Sequence, residues 1–476
     1  MSFVCDVRIG AHGKIGRGIA TSRMKILLLT DIPPCKNFTA GLVLDQLCRF
    51  LPQGSIACFA MVNPLLDAKL TPDLDWIPVA YTKKRAEYAF RPLPGRLSLP
   101  FAWTAETLRR RLVVPRLTDQ AVAFGREQKV DLLWAVLQGQ TATQMAPEVA
   151  RKLGVPMVTQ VWDPLIWWLL ANRIDRFSRA AALRDFDRAL TASRCCLAAS
   201  WAMAEAYRTR YGTAGVPVIA SHASELGKAP DLNSFPGSTI RLGMAGQFYA
   251  GDEWRQLLQA LNDHDWRIRG REVEITVLGG GMPPGAAPTG RVHFLGWKSQ
   301  PEAAEILASM DVLYCPYPFA PEMEEVSKLS FPSKVVLYLA AGRPVLFHGP
   351  AYSSPADYLR RRDAGYLVTE QNAAAIFGAL GKLIDDPALY RALGERARAA
   401  FQADFTLETM RANFSRAIGF PLPAEPAAVT EPAPAPKNLP DVNAIFPATQ
   451  GLVSHSLPVM RRVRQLLQGA KRRLRG

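Results

Sequence analysis

Twice along this chain an apolar strand pattern opens after a polar stretch and then alternates with helical patterns, and this double start calls for two α/β units. The first run begins at Met24 with MKILLLT and lasts to about Ser221; the second begins at Ile240 with IRLGMAG. In the first unit strands are expected at 25–30, 56–62, 131–137, 157–162, 189–192 and 216–220, with helices at 40–51, 104–129, 141–153 and 195–211. In the second, VEITVLGGG, VHFLGW, DVLYCPY, RPVLFHG and GYLVT supply further strands. Strands separated by helices make parallel sheets covered on both faces. Ligands of such sheets bind beyond the carboxyl ends of the strands, so function is expected where two sets of ends face each other.

The 476 residues leave room for two domains and tails, and 49% hydrophobic residues suffice to fill two cores. The expected boundaries are a disordered extension at 1–23, a first domain at 24–225, a second at 236–418, a Pro/Ala-rich linker at 421–440 and a basic amphipathic tail at 441–476. The net charge of +15 is uneven: seven basic residues and no acid lie between Leu457 and Gly476, and the first 23 residues hold four basic residues and one acid. With the excess charge largely in the ends, a nucleic-acid groove through the fold is not expected. In the tail, Val459, Val463, Leu466, Leu467 and Leu474 gather loosely on one side of a helix with arginines opposite, a pattern suited to lying on an anionic membrane. A second basic stretch, 83–116, interleaves arginines and lysines with Tyr88, Phe90, Leu97, Phe101 and Trp103, and reads either as a lipid-facing surface or as a charged helical hairpin.

Seven cysteines, scattered in apolar surroundings, show neither disulfide-framework nor zinc spacing, which points to a reducing cytoplasmic compartment. Cys195 and Cys196 are expected to be buried in a helix. No apolar run approaches the roughly 20 residues of a membrane span.

The densest chemical signal is FPSKVVLYLAAGRPV, residues 331–345. Pro332 suits the first turn of a helix, Ser333 can offer its hydroxyl to an orphan amide, and Gly342 closes the helix in a left-handed conformation. Lys334 then sits at the positive end of the helix dipole, beside free amides, where a phosphate or diphosphate is favoured.

This segment, followed by LFHGP, resembles the donor-binding segment of family four glycosyltransferases, in which a lysine-bearing turn leads into a helix ending Tyr-Leu-Ala-x-Gly-x-Pro-Val. The resemblance implies the GT-B fold: two Rossmann-like domains facing across a cleft, with a nucleotide sugar held mainly by the second. It further implies transfer of a hexosyl group with retention to a glycan or lipid-linked acceptor, the nucleotide sugar being substrate and no cofactor or metal being needed. Surface polysaccharide assembly at the inner face of the cell membrane is the expected setting, with the chain cytoplasmic and peripherally attached.

Carried over residue by residue, the resemblance gives Gly243, Gly246, Lys328, Ser333, Lys334 and Tyr338 as donor-binding, Gly41 as acceptor-side, and Asp163 and Glu322 as catalytic. Asp163 follows a strand in TQVWDPL, a place where the family has a His-Asp loop; here Trp162 stands for the histidine, and the Asp-Pro pair also suits a helix cap. Three departures matter. Gln247 and Tyr249 fall where the family carries an arginine and a lysine that clamp the diphosphate. Leu337 and Leu329 occupy the positions of two glutamates, one of which bonds the donor ribose, and leucine accepts no hydrogen bond. Glu322, Glu324 and Glu325 in the preceding loop are then the carboxylates within reach. A binding protein that has lost catalysis is the alternative these departures leave open; a dinucleotide oxidoreductase is disfavoured because no G-x-G-x-x-G turn follows either leading strand.

Overall fold

The computed structural model describes residues 24–422, apart from 64–65, 67, 85–86, 88–94, 228–229, 234–236, 248 and 281–289. The extension at 1–23, the linker and the basic tail expected from the sequence lie outside the described residues.

Two parallel sheets organise the molecule. The first contains β1 (Ile26–Thr30), β2 (Ile56–Val62), β3 (Val79–Lys83), β4 (Leu132–Val136), β5 (Met157–Val161), β6 (Cys195–Ala198) and β7 (Ala214–Pro217), in the order β3-β2-β1-β4-β5-β6-β7. The second contains β8 (Thr239–Ala245), β9 (Arg267–Ile268), β10 (Arg271–Leu278), β11 (Val292–Gly296), β12 (Val312–Pro316), β13 (Val345–His348) and β14 (Tyr366–Val368), in the order β11-β10-β8-β12-β13-β14, with β9 antiparallel to β10. Central strands such as β1, β4 and β5 are buried at every position, as a sheet covered on both faces requires.

The first sheet is flanked by α1 (Thr39–Arg49), α2 (Leu99–Leu108), α3 (Val114–Glu127), α4 (Gly139–Leu153), α5 (Leu165–Ala171), α6 (Arg176–Thr191) and α7 (Trp201–Tyr211). The second carries α8 (Gly251–Asn262), α9 (Gln300–Ala308), α10 (Glu324–Leu329), α11 (Ser333–Ala341), α12 (Ser354–Arg362), α13 (Ala373–Asp385) and α14 (Pro387–Asp404). A last helix, α15 (Leu407–Ile418), counted with the second domain in the sequence, returns to the first. Its Met410, Phe414 and Ile418 are buried in the core beneath β4 and β6, with the Phe414 ring 4.9 Å from that of Trp134.

Two expectations need correction. Residues 189–192 end α6 rather than forming a strand, because Ala182, Phe186, Ala189 and Leu190 continue a helical face into the core. Cys195 and Cys196 are buried, but in β6; the helix starts later, where the Ser200 hydroxyl accepts the Met203 N–H at 2.9 Å. The edge strand β3 was not anticipated: its residues alternate between half-buried and exposed and carry little apolar signal.

The chain crosses between domains twice, after β7 and again between α14 and α15. The crossings run side by side: the His222 N–H donates to the Phe405 carbonyl at 3.0 Å and the Leu407 N–H to the His222 carbonyl at 2.9 Å.

Candidate functional site

The carboxyl end of β8 meets the amino end of α11. Pro332, extended at φ −74°, ψ 127°, is the N-cap, and no side chain caps the helix; Ser333 is exposed and its expected capping bond is absent. Gly342 ends the helix at φ 68°, as the sequence indicated. Lys334 is buried, and its ammonium reaches only the Gln247 carbonyl, at 3.4 Å, and the face of Tyr249, 4.4 Å from the ring centroid. Among the described residues it makes no ion pair, and burial pushes its pKa down. Gly246, at φ 97°, lets the backbone turn beside it; a Cβ there would lie 3.4 Å from the Lys334 Cβ. Thus Gln247 and Tyr249 are, among the described residues, the groups against which the Lys334 ammonium rests.

The first domain reaches this site through Asp163, just past β5. Its Oδ1 accepts the Ser330 hydroxyl at 2.6 Å, four residues before Lys334, while the residue stays open to solvent. The helix after it, α5, is capped at Pro164 without a side-chain bond, so Asp163 does not serve as its cap. The seam continues with the Ser200 hydroxyl donating to the Leu329 carbonyl at 2.5 Å and the Trp167 indole N–H to the Met323 sulfur at 3.2 Å. Ser330, Ser200 and Tyr249 gave no catalytic signal in the sequence; their meaning comes from position, each ending a strand or flanking a helix at the domain seam.

Other expected residues fall elsewhere. Gly243 lies inside β8, where a Cβ would meet Met310 at 2.7 Å and Leu313 at 2.8 Å; it serves core packing and does not face the cleft. Tyr338 is wholly buried, its hydroxyl accepting the Ala245 N–H at 2.7 Å, so it pins α11 to β8. Lys328 is half exposed on α10, paired with Glu324 one turn away and lying over Tyr352, and the structure does not bring it to Lys334. Glu322 is exposed on a short 3-10 turn, Pro321–Met323. Gly41 is buried in α1, and a Cβ there would come 2.2 Å from the Cys35 sulfur, so its smallness admits the preceding loop. Leu337 packs on the second core and Leu329 against the first, which accounts for leucine at both positions.

A second polar cluster sits at the carboxyl end of the first sheet. The Glu87 carboxylate, almost fully buried, accepts the N–H groups of Gln140 at 2.5 Å and Thr141 at 2.9 Å, at the start of α4. Gly139 adopts φ 78° beneath it, and a Cβ there would stand 2.4 Å from Glu87 Oε2. The Lys84 ammonium lies 3.0 Å from Glu87 and also binds Asp31 closely. Glu87 titrates low, at about 2, held there against burial by Lys84, Arg109 and the two amides; Asp31, with no amide partner in that set, is driven up to about 7 by burial. Lys84 is shared between the two buried carboxylates, and Arg109 with the two amides tips the charge to Glu87. The sequence reading missed this cluster, although Asp31 follows the first strand where ligands of such sheets bind.

Among the described residues no group of histidines, cysteines or acids is placed to hold a metal ion, and no helix is long and apolar enough to cross a membrane.

Residues 239–386 match the family model described as Glycosyl transferases group 1. A search of curated proteins gives no match. Among solved structures, Anabaena Alr3699/HepE in complex with UDP superposes with a TM-score of 0.59 at 16% identity, covering 83% of this chain and 100% of that one. The sucrose-phosphate synthase of Thermosynechococcus elongatus gives 0.57 at 15%, covering 82% and 98%, and the lipopolysaccharide outer core galactosyltransferase WaaB in its apo form 0.54 at 15%, covering 83% and 99%. Paired parallel sheets, a returning last helix and these superpositions converge: the architecture is the GT-B fold, and residues 239–386 of its second domain match the group 1 glycosyltransferase model.

Proposed function

We propose that the chain transfers a glycosyl group from a nucleotide sugar to a glycan or lipid-linked acceptor with retention at the anomeric carbon. One observation carries this reading: a buried lysine at the uncapped start of α11 that forms no ion pair among the described residues. A buried cation without an anion costs several kcal/mol, so the site is complete only when an external anion supplies the charge. A diphosphate fits, with oxygens against Lys334 and the first amides of the helix, and the HepE complexes with UDP and UDP-glucose favour a uridine nucleotide.

In the reaction the bond from the sugar C1 to the diphosphate oxygen breaks and a bond from C1 to the acceptor oxygen forms on the same face. The acceptor proton passes to a donor phosphate oxygen. Lys334 and the helix amides stabilise the leaving diphosphate, without a metal ion or cofactor. Asp163, already bonded to Ser330 beside this segment, orients the acceptor hydroxyl from the opposite domain. Surface polysaccharide assembly on the cytoplasmic face of the membrane is the setting, with the basic tail resting on anionic lipid.

Saturation-transfer NMR with UDP, GDP and ADP sugars, followed by transfer assays with the bound donor and anomeric assignment of the product, tests the reading. Binding of one donor class supports it; no binding of any donor removes it. Donor binding without transfer or hydrolysis across the panel would instead favour a binding protein, the reading that Leu329 and Leu337 support.

A further inference from the structure

We propose that the first domain carries its own docking surface for anionic membrane, built from the 97–116 region and the start of α6, with a lipid-phosphate subsite between them. This surface is separate from the basic tail and is read without any sugar donor, so it stands or falls independently of the transfer reaction.

The region runs from a short 3-10 turn through α2 and a π-helical turn, Arg109–Val113, into α3. Its outward side is apolar where a globular surface is normally polar. Leu97, Phe101, Leu108 and Leu112 recur every helical turn or two, and all four are exposed, Leu97 at 68%. Trp103, at 52%, and Phe177, at 60%, extend the strip onto α6. Such a contiguous patch on a chain of this kind marks an interaction surface.

Charge identifies the occupant. Between residues 96 and 116 five arginines face one acid, Glu106; between 173 and 188 five arginines face three, Asp175, Asp185 and Asp187, of which Asp185 pairs with Arg110 and Arg188. Glu106 is taken up by Arg109 at 2.7 Å, and Asp175 is turned inward, capping α6 through the N–H groups of Phe177 and Ser178. Exposed aromatic and leucine side chains ringed by arginines match a leaflet of acyl chains beneath anionic headgroups.

A cleft of about 220 Å³ opens between the two parts, lined by Trp103, Glu106, Arg110, Arg111, Phe177 and Ser178, with the Glu106 charge taken up by Arg109. Ser178 is only 4% exposed, yet among the described residues its hydroxyl has no hydrogen-bond partner. The Arg110 guanidinium spends Nη2 on Asp185 at 2.6 Å and leaves Nη1 buried and unbonded. Orphaned donors beside an exposed arginine suit a phosphate oxygen. Arg109 then links the patch to the cleft side of the domain, donating to the Thr141 hydroxyl at 2.7 Å.

The full chain, with Cys5→Ser and a fluorescent NBD group on Thr104→Cys, is mixed with phosphatidylcholine vesicles with or without phosphatidylglycerol. The six cysteines in the described residues are buried, which confines the label to the patch. The expected result is a blue-shifted rise with phosphatidylglycerol vesicles only. Phe101→Ser combined with Leu112→Ser lowers partitioning by more than about tenfold, and Arg111→Gln or Ser178→Ala by about fivefold. Chains that float while the label stays unchanged bind through the tail alone and overturn the proposal, as does failure to float. Label changes indifferent to Arg111→Gln and Ser178→Ala overturn the subsite, and an equal response to inorganic phosphate overturns the lipid assignment.

Discussion

The two domains each aim a helix start at the cleft, and they treat it oppositely. In the first, α4 receives the chain's own carboxylate, Glu87, already balanced by Lys84. In the second, α11 has no side-chain cap, and its lysine is buried with no carboxylate partner among the described residues. The same electrostatics are therefore satisfied internally on one side and left for a ligand on the other. The difference separates a charged cluster that holds a domain together from one that keeps a buried cation unbalanced at a stability cost.

Breaking the internally satisfied side has the largest effect. Glu87→Ala leaves two helix amides without their acceptor and Lys84 with Asp31 alone, and is expected to lower unfolding free energy by about 3 kcal/mol in chemical denaturation. Because Glu87 titrates below its unfolded value, its stabilisation is full above pH 4.5 and lost as pH falls toward about 2. Glu87→Gln should flatten the wild-type loss of stability in that window, measured by denaturant midpoints across pH.

On the open side, Lys334→Ala should weaken UDP binding by about thirtyfold in calorimetry, the scale of a charge-assisted contact. Lys334→Met should leave the melting temperature equal or higher, because it removes an unpaired buried cation. A fall comparable to that of Glu87→Ala would mean the two sites are alike after all. Gly246→Ala, forced to φ 97°, should cost about 1–2 kcal/mol of stability, seen as a lower denaturation midpoint. Lys328→Ala should change UDP affinity by less than about twofold, since that ammonium is exposed and paired with Glu324.

The open site was far more legible in the sequence than the closed one. Gly342, Pro332 and Lys334 act within one helix, so their spacing along the chain announces the element. The burial of Lys334 was not legible, because it depends on Gln247 and Tyr249, some 85 residues away in sequence. The closed cluster joins Asp31, the Lys84–Glu87 loop and the start of α4, and no local pattern brings those three together. Likewise α6 was misread as a strand at its end because ALTA has no helix-specific feature when taken alone, and the core contacts of Phe186 and Leu190 decide it. Strands with continuous apolar runs, such as β1 and β4, were readable because burial on both faces leaves a direct mark on composition.

A polypeptide that passes once from lobe to lobe leaves them free to swivel. Here the outgoing and returning strands at His222 and Phe405–Leu407 are laced by two backbone bonds, which resists twisting and leaves bending about one line. Opening along that pivot would separate Asp163 from Ser330 without disturbing either sheet. The jaw would then reclose in register, bringing Asp163 back to the same place against Ser330 in each cycle.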